Sequence, residues 1–289
     1  MKSPHMRDSA KMRGWLESTE TTISPKGDVA YWSNVWRQRE LLLFLVRRDL
    51  SLRYKQALLG VGWAVLKPLA TLSIYVFIFS VVAKVPSIDG VPYSVMVFAG
   101  LILWLFFANA VNEIRGSVSA NSAIISKVYF PRIIVPLSAL ALSVVELSIS
   151  SLLFAGLMLM FQVTPDWRVI AAPGFILLAA TSALGLGLIC AALDVRYRDI
   201  RYIVPFALQL GFYASPVVYH MDLVPDAYAW VLRLNPMVGA IEGVRWSVLG
   251  TNTPLPIDEI LWSFATSALF LTVGVLFFKS AEKSFGDHL

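Results

Sequence analysis

Residue types that build soluble catalytic and metal-binding sites are scarce in this sequence. It contains one cysteine, Cys190, and three histidines among 289 residues. A disulfide framework and a cysteine metal cluster are therefore excluded, and a histidine metal site is not expected. The sequence also has no Gly-rich phosphate loop ending in Lys-Ser or Lys-Thr, no HExxH pair and no GxSxG nucleophile elbow. We therefore expect no catalytic residue, no metal ligand and no cofactor on this chain.

Charged residues are scarce as well. They make up 15% of the chain, whereas an average soluble domain has about 25%. Apolar residues make up 57%, and the mean hydropathy is +0.68. A water-soluble globule of this composition would lack the polar surface needed to cover itself. The composition therefore indicates an integral membrane protein.

Long apolar runs follow one another along the chain. Crossing the hydrocarbon takes about 20 helical residues at 1.5 Å each, and the alternating pattern of a membrane barrel is absent. The predicted fold is all-α with six membrane spans. The spans are predicted at residues 58–82, 92–111, 133–161, 169–193, 202–219 and 260–278. The run 202–219 is the shortest of these and contains Pro205 and Pro216.

Basic residues are unevenly divided between the two sides that six spans would create. One side holds eight in its loops and C-terminal tail: Arg115, Lys127, Arg132, Arg196, Arg198, Arg201, Lys279 and Lys283. The other side holds four: Lys84, Arg168, Arg233 and Arg245. Cytoplasmic loops carry an excess of Lys and Arg, so both termini are predicted to be cytoplasmic. The net charge of +5 is thus assigned to membrane orientation, and nucleic acid is not an expected partner.

A polar tail of residues 1–35 precedes two apolar segments that do not span. Residues 36–56 have a short apolar core between basic residues, which predicts an amphipathic helix lying in the cytoplasmic interface. An ordinary basic anchor before the first span is the alternative. Residues 225–249 form two apolar pieces broken at Asn235-Pro236, each too short to cross. They predict a re-entrant pair of helices in the outer leaflet.

Two features leave alternatives open. Glu146 is the one charged residue near the middle of a predicted span, where a charge costs at least about 2.5 kcal/mol. It is either functional or hydrogen-bonded among Ser143, Ser148 and Ser150. The many tryptophans near the span ends form either an interface belt or a path on which sugar rings stack.

Several motifs occur in one order along the chain and carry a resemblance. They are RDLSLRYKQ (48–56) with Leu59, Gly60, Trp63 and Lys67-Pro68, ISKVYFPR (125–132), VRYRDI (195–200), SPV (215–217), and Asn235-Pro236 with Glu242 and Arg245. Over residues 36–285 the chain resembles the permeases of type-2 ABC exporters, in the branch that exports polysaccharides such as O-antigen, capsule and teichoic acid.

This resemblance implies a bacterial inner-membrane permease of two copies with two copies of a separate ATPase, on which ATP and Mg would bind. It implies a coupling helix at about residues 120–130 that docks in the ATPase. It also implies gate helices in the outer re-entrant pair and a substrate carried on a polyprenyl pyrophosphate lipid. The remaining expected partners are membrane lipids.

The resemblance and the chemistry of such a substrate together assign the candidate residues. The anionic head group needs cations, predicted as Arg47, Arg48, Arg53 and Lys55. The gate for the lipid is predicted at Tyr54, Gln56, Leu59, Gly60 and Trp63. Coupling to the ATPase is predicted at Asn121, Ser122, Ser126, Lys127 and Tyr129. The glycan path or outer gate is predicted at Trp104, Tyr213, Trp230, Asn235, Pro236, Glu242, Arg245 and Trp246.

The predicted function is therefore that of a transport permease, with ATP hydrolysis on a partner subunit. O-antigen is the first choice of cargo, because the outer loop is compact and the chain is short. Capsule or teichoic acid export, and drug or lipid export by a related permease, remain alternatives. A membrane enzyme is disfavoured by the missing catalytic groups.

Overall fold

A computed structural model describes residues 28–55, 62–87, 90–128, 130–250, 254–282 and 285. Every regular element among these residues is a helix, which confirms the all-α class. The chain divides into two units, residues 1–38 and 39–289. In the first unit, α1 covers Asp28–Arg37, so this helix includes part of the predicted polar tail.

The described helices of the second unit follow one another with short connections. They are α2 (Arg39–Lys55), α3 (Gly62–Tyr75), α4 (Tyr93–Ala120), α5 (Ser122–Ile125), α6 (Ile134–Met160), α7 (Ala172–Arg196), α8 (Ile200–Tyr213), α9 (Asp226–Arg233), α10 (Met237–Val248) and α11 (Ile257–Glu282). A π-helical segment, Val76–Val82, continues α3. Two 3-10 turns, Trp167–Ala171 and Met221–Leu223, precede α7 and α9.

Five helical segments in the described part of the chain are long and apolar enough to cross a membrane. They are Gly62–Val82, Tyr93–Ala120, Ile134–Met160, Trp167–Arg196 and Ile257–Glu282. Each overlaps one of the six predicted spans. The remaining predicted span, 202–219, is α-helical only over Ile200–Tyr213 and then continues in turns. At 1.5 Å per residue α8 is about 21 Å long, so six spans remain a prediction.

Two other predicted helices differ in extent from those in the structure. The predicted helix 36–56 is divided at Gln38, where α1 has ended and α2 has not begun. The predicted coupling helix 120–130 is one α-helical turn, α5, between the end of α4 and a run of turns. Residues 121–128, which follow α4 and are the described part of that prediction, are called the coupling segment.

Helix α4 is the centre of the second unit. Most of its side chains are buried, because α6 and α7 pack along it. Helix α11 packs in turn on α7, and this contact depends on glycine. A Cβ at Gly185 of α7 would collide with the backbone of Phe270 and Leu271 in α11, and one at Gly274 of α11 would collide with the Gly185 carbonyl.

A polar contact marks the C-terminal end of α4. The guanidinium of Arg115 donates to the carboxylate of Asp194 at 2.8 Å. The same carboxylate lies 3.4 Å from Nε of Arg201 in the first turn of α8. The beginning of α8 therefore lies beside the last turns of α4.

A second polar contact marks the N-terminal end of α4. The carbonyl of Met96 accepts a hydrogen bond from Arg245, which also donates to the carbonyl of Val217. Met96 and Arg115 are about 28 Å apart along the helix axis, at 1.5 Å per residue. The chain from 201 to 217 therefore runs alongside α4 over most of its length.

The glycine contact between α7 and α11 gives a stability prediction. We expect Gly185→Ala to lower the free energy of unfolding by about 1–3 kcal/mol or more, because α7 and α11 must separate to admit the methyl group. The measurement is the thermal unfolding midpoint of the detergent-solubilised protein. Gly174→Ala, also in α7, is the control, because nothing lies within 4 Å of its added Cβ. Equal midpoints for the two variants would contradict the packing described.

Candidate functional site

Arg53 lies near the end of α2 and ion-pairs with carboxylates from two other helices. Its guanidinium contacts Glu113 of α4 through one terminal nitrogen and Glu146 of α6 through the other. Burial lowers the pKa of Arg53, but the two carboxylates outweigh burial and raise it above the ordinary value. Arg53 therefore remains charged, and in this structure it joins α2 to α4 and α6. Glu146 lies within a membrane-spanning helix and has Arg53 as an ion-pair partner. The sequence around Glu146, which offers only serines as hydrogen-bonding partners, did not indicate this.

A cavity of about 400 Å³ opens beside this ion cluster, between α3, α4 and α6. Its charged lining consists of Arg53, Lys67, Glu113 and Glu146. Along α4 the cavity extends from Glu113 to Ile102, about 16 Å at 1.5 Å per residue. Leu105, Phe106 and Leu147 add apolar surface. The cavity is therefore amphipathic, as is a lipid with a polar head group.

The remaining predicted head-group and gate residues are distributed around this cavity and beyond it. Arg47 is exposed on α2, whereas Arg48 pairs with Asp49 at 2.7 Å. Trp63 lines the cavity and is about half exposed. The side chains of Tyr54 and Lys55, and residues Gln56, Leu59 and Gly60, lie outside what the structure describes.

The predicted coupling residues begin where α4 ends. The side-chain amide of Asn121 donates to the Ser117 carbonyl and accepts from Arg48 of α2 at 2.6 Å. The structure thus joins a predicted head-group residue to a predicted coupling residue. Ser122 begins α5, and Ser126 and Lys127 are exposed. Tyr129 lies outside the described residues.

At the other end of α4, Arg245 is a buried clamp. Its guanidinium donates to the carbonyls of Met96, Val217 and Tyr219, and it pairs with Glu242 at 3.2 Å. Both charged side chains are at least 95% buried. Five-donor guanidinium groups suit such a site, because several carbonyls can be satisfied at once. Arg245 therefore holds α10, the start of α4 and the chain after α8 together.

Glu242 has a second partner on the far side of this clamp. Nε2 of His220 lies 3.2 Å from its other carboxylate oxygen. Burial raises the pKa of Glu242, and the charges of Arg245 and His220 oppose that rise. A cavity of about 260 Å³ adjoins these groups and is also lined by Trp246. The ring of Trp246 lies under the Arg168 guanidinium at 5.0 Å.

The sharp turn between α9 and α10 is held by Asn235 at its apex. Its side-chain amide donates to the hydroxyl of Ser215 at 2.7 Å, and its side-chain oxygen accepts from the backbone N–H of Met237 at 3.0 Å. Pro236 directly precedes α10, a position where its missing N–H costs nothing. Asn235-Pro236 is therefore a built turn rather than a simple break. Trp230 on α9 is exposed.

The remaining predicted glycan-path residues meet on α8. Trp104 is buried in α4 and packs edge-on against Phe212 of α8, which also stacks on Tyr75 at 5.0 Å. Tyr213 is exposed. Most of α8 is exposed, and on that surface Tyr213 continues a stripe whose members are spaced by four, three and four residues and therefore lie on one face of the helix. The stripe consists of Tyr202, Phe206, Gln209 and Tyr213.

Several residues of these clusters were missed by sequence reasoning. Glu113, Asp194 and His220 each complete an ion cluster, yet none stands out in the sequence. Asp194 and Glu113 lie close to span ends, where a charged residue is ordinary. Both follow the end of a predicted span by one or two residues, so they lack the mid-span position that singled out Glu146.

Helices of this length and hydropathy, with charged clusters at the two ends of a buried central helix, define a multi-pass helical membrane protein. Residues 40–249 match the family model described as "ABC-2 type transporter". The match covers well over half of the chain. The chain belongs to the ABC-2 type transporter family.

Curated relatives match most of the chain. "O-antigen export system permease protein RfbA" of Klebsiella pneumoniae is 29% identical over 254 residues, covering 86% of this chain and 95% of the relative. The protein of the same name from Myxococcus xanthus is 30% identical, covering 88% and 97%. "Polysialic acid transport protein KpsM" of Escherichia coli is 26% identical, covering 72% and 80%.

The Arg245 clamp gives a second stability prediction. We expect Arg245→Gln to cost about 3–5 kcal/mol of unfolding free energy, because it leaves Glu242 buried without its guanidinium. Arg233→Gln is the control, because Arg233 pairs with Glu259 at 3.2 Å in a partly exposed pair, with side chains 36% and 14% exposed. Water reaches such a pair, so we expect a smaller loss than for the nearly fully buried Arg245 pair. Denaturant or thermal unfolding in detergent measures both, and similar losses would contradict the clamp assignment.

Proposed function

We propose that this chain is the permease subunit of an ATP-driven exporter that moves a lipid-linked polysaccharide, O-antigen, across the bacterial inner membrane. The observation that carries the proposal is the match to two O-antigen export permeases over 86–88% of this chain at 29–30% identity. Capsule export is the second candidate. It is supported by the polysialic acid transport relative, which covers less of the chain at lower identity.

Six crossings with both termini in the cytoplasm fit the contacts at the two ends of α4. Five helical segments have the length to cross. The sixth crossing would be α8 with the turns after it, since Arg201 lies near one end of α4 and Val217 near the other. An even number of crossings returns the chain to its starting side. The basic-loop bias makes that side the cytoplasm.

Helices α9 and α10 would form the outer re-entrant pair. At the apex, Asn235 bonds to Ser215, whereas Gly250 after α10 lies against the carbonyl of Thr164 in the loop before α7. Helix α10 therefore rises from the apex toward the loops. Its side chains are almost entirely buried, so its backbone lies in protein at a depth where exposed backbone would be costly.

A partner ATPase would supply the energy, with ATP and Mg bound there. The coupling segment presents Ser126 and Lys127 to solvent, as a docking surface requires. Two permease copies would enclose the glycan. The exposed stripe on α8 suits its path, because the faces of its three aromatic rings let sugar rings stack and slide without strong hydrogen bonds.

The pyrophosphate head group would bind at the basic end of α2, with Arg47, Arg48, Arg53 and Lys55. A pyrophosphate is a compact multiple anion that Arg binds bidentately. Arg53 already has two carboxylate partners, so it would exchange them for phosphate when the lipid arrives. The adjacent amphipathic cavity would receive the first part of the lipid.

The test is export in a strain whose own copy of the gene is deleted. The deletion should remove surface polysaccharide and the wild-type gene should restore it. We expect Arg53→Lys to reduce export and Arg48→Ala/Arg53→Ala to lower it about 100-fold at normal protein level, because two bidentate contacts are lost. Immunoblotting of surface glycan is the measurement.

Two further variants separate head-group binding from a structural role of Arg53. Arg37→Ala removes a cation that is not among the four proposed head-group residues and should leave export unchanged. Glu113→Gln/Glu146→Gln removes the partner charges and should retain export if Arg53 serves the substrate. Normal export by Arg48→Ala/Arg53→Ala would refute the head-group role, and an intact surface glycan in the deletion strain would refute the function.

A further inference from the structure

Asp194, at the end of α7, is a buried carboxylate to which the proposed function assigns no role. Its side chain is 1% exposed. Oδ1 accepts from Arg115 at 2.8 Å and lies 3.4 Å from Nε of Arg201. Oδ2 accepts from the hydroxyl of Ser119 at 2.8 Å. The carboxylate thus has donors on both oxygens, two of them cationic.

These donors come from α4, which leads into the coupling segment, and from the beginning of α8. Arg115 and Ser119 lie in the last turns of α4, and Ser119 is two residues before Asn121, where the coupling segment begins. Arg201 is the second residue of α8. Asp194 therefore stands between the element expected to contact the ATPase and the helix that carries the exposed aromatic stripe.

The other polar contacts at the coupling segment connect it to α2 and α11 rather than to α8. Asn121 accepts from Arg48 of α2. Arg132, just after the segment, donates through its backbone N–H to Glu282 at the end of α11 at 2.8 Å. Among the polar contacts of the described residues, those that reach α8 from this end run through Asp194.

Burial makes the contact between Asp194 and Arg115 stiff, whereas the Arg201 side chain is half exposed. A carboxylate removed from water is strongly destabilised when one of its charged partners leaves, because no solvent replaces the partner. Displacing the end of α4 without α7 and α8 would separate Asp194 from Arg115 or Arg201. The end of α4 therefore has a strong reason to move with α7, and the Arg201 pair together with the short connection from Arg196 to Ile200 makes α8 follow.

We propose that Asp194 is a positioning residue that transmits displacement of the coupling segment to α8, and through α8 to the glycan path. This inference rests on the proposed function for its cargo, but its mechanical part concerns only this chain and its ATPase. Without Asp194, the ATPase would continue to hydrolyse ATP, but α8 would no longer move with the coupling segment. The signature is uncoupling rather than loss of both activities.

The test uses the full permease with its ATPase subunit in proteoliposomes, with ATP hydrolysis and glycan export measured together. We expect Asp194→Asn to keep ATP hydrolysis within about twofold and to lower export per ATP about tenfold or more, a coupling effect of ordinary size. The control is Asp199→Asn, five residues further on, where the side chain is exposed and makes no capping hydrogen bond. It should leave export per ATP unchanged.

A distance measurement follows the movement itself. Spin labels at Ala123→Cys in the coupling segment and Ala207→Cys on α8, both exposed positions, are introduced separately in a Cys190→Ala background. Distances between the two permease copies are compared with and without a non-hydrolysable ATP analogue. In the wild type both distances should change, whereas in Asp194→Asn the position-123 distance should change and the position-207 distance should not.

Each result of these measurements supports or overturns the proposed transmission of movement through Asp194, called the relay. If Asp194→Asn fails to assemble, Ser119→Ala and Arg201→Lys replace it, since each leaves the buried charge with a cationic partner, and both should lower export per ATP. An unchanged ratio in the assembled variants, or equal loss of hydrolysis and export, overturns the relay. Suppose that the wild type moves no lipid-linked glycan, but that in Asp194→Asn the position-123 distance still changes with nucleotide while the position-207 distance does not. The role of Asp194 then stands and the proposed function fails.

Discussion

A charge inside a membrane protein must find its partner within the protein, and this constraint fixes the arrangement of the helices. Three clusters satisfy it: Arg53 with two glutamates, Asp194 with two arginines and a serine, and Arg245 with Glu242 and three carbonyls. Helix α4 contributes to all three, through Glu113, Arg115 with Ser119, and the Met96 carbonyl. The most buried of the five long helical segments in the described chain is therefore the common reference for both of its ends.

The clusters also divide the chain according to what each end has to do. The end with Arg53 and Asp194 fastens α2, α7 and α8 to the last turns of α4, next to the coupling segment. The end with Arg245 joins α10 to the beginning of α4. Between them, glycine lets the backbones of α7 and α11 approach closely, and the buried hydroxyls of Ser182 and Ser267 are hydrogen-bonded across the same contact. In an exporter, the first end would receive the movement of the ATPase and the second would close the outer side.

Much of the fold was predictable from the sequence, because hydrocarbon thickness sets the length of an apolar run. The five long helical segments overlap predicted spans for this reason. The break at Gln38 and the short α8 were not predicted, since hydropathy does not locate where a helix is interrupted. The family resemblance was likewise predictable, and the match over residues 40–249 confirms it.

The candidate site was less predictable, because ion pairing depends on the packing of distant helices. Arg53 was predicted as a cation for phosphate, but its two carboxylate partners lie 60 and 93 residues further along the chain. Asp194 was not predicted because it ends an apolar run beside basic residues. In contrast, Glu242 and Arg245 were predicted together, because the family resemblance includes both. Their spacing of three residues puts them on one helix face, so their contact does not depend on the packing of distant helices.

ATP-driven movement of a defined lipid-linked glycan tests the central claim most directly. The purified permease and its ATPase would be placed in vesicles containing polyprenyl-pyrophosphate-linked O-antigen, and the glycan reaching the opposite leaflet would be followed with a membrane-impermeant lectin. We predict that ATP and Mg increase lectin binding, and that this increase is greater than the one measured for a lipid-linked polysialic acid. No ATP-dependent increase, in a complex that assembles and hydrolyses ATP, would contradict export of this cargo.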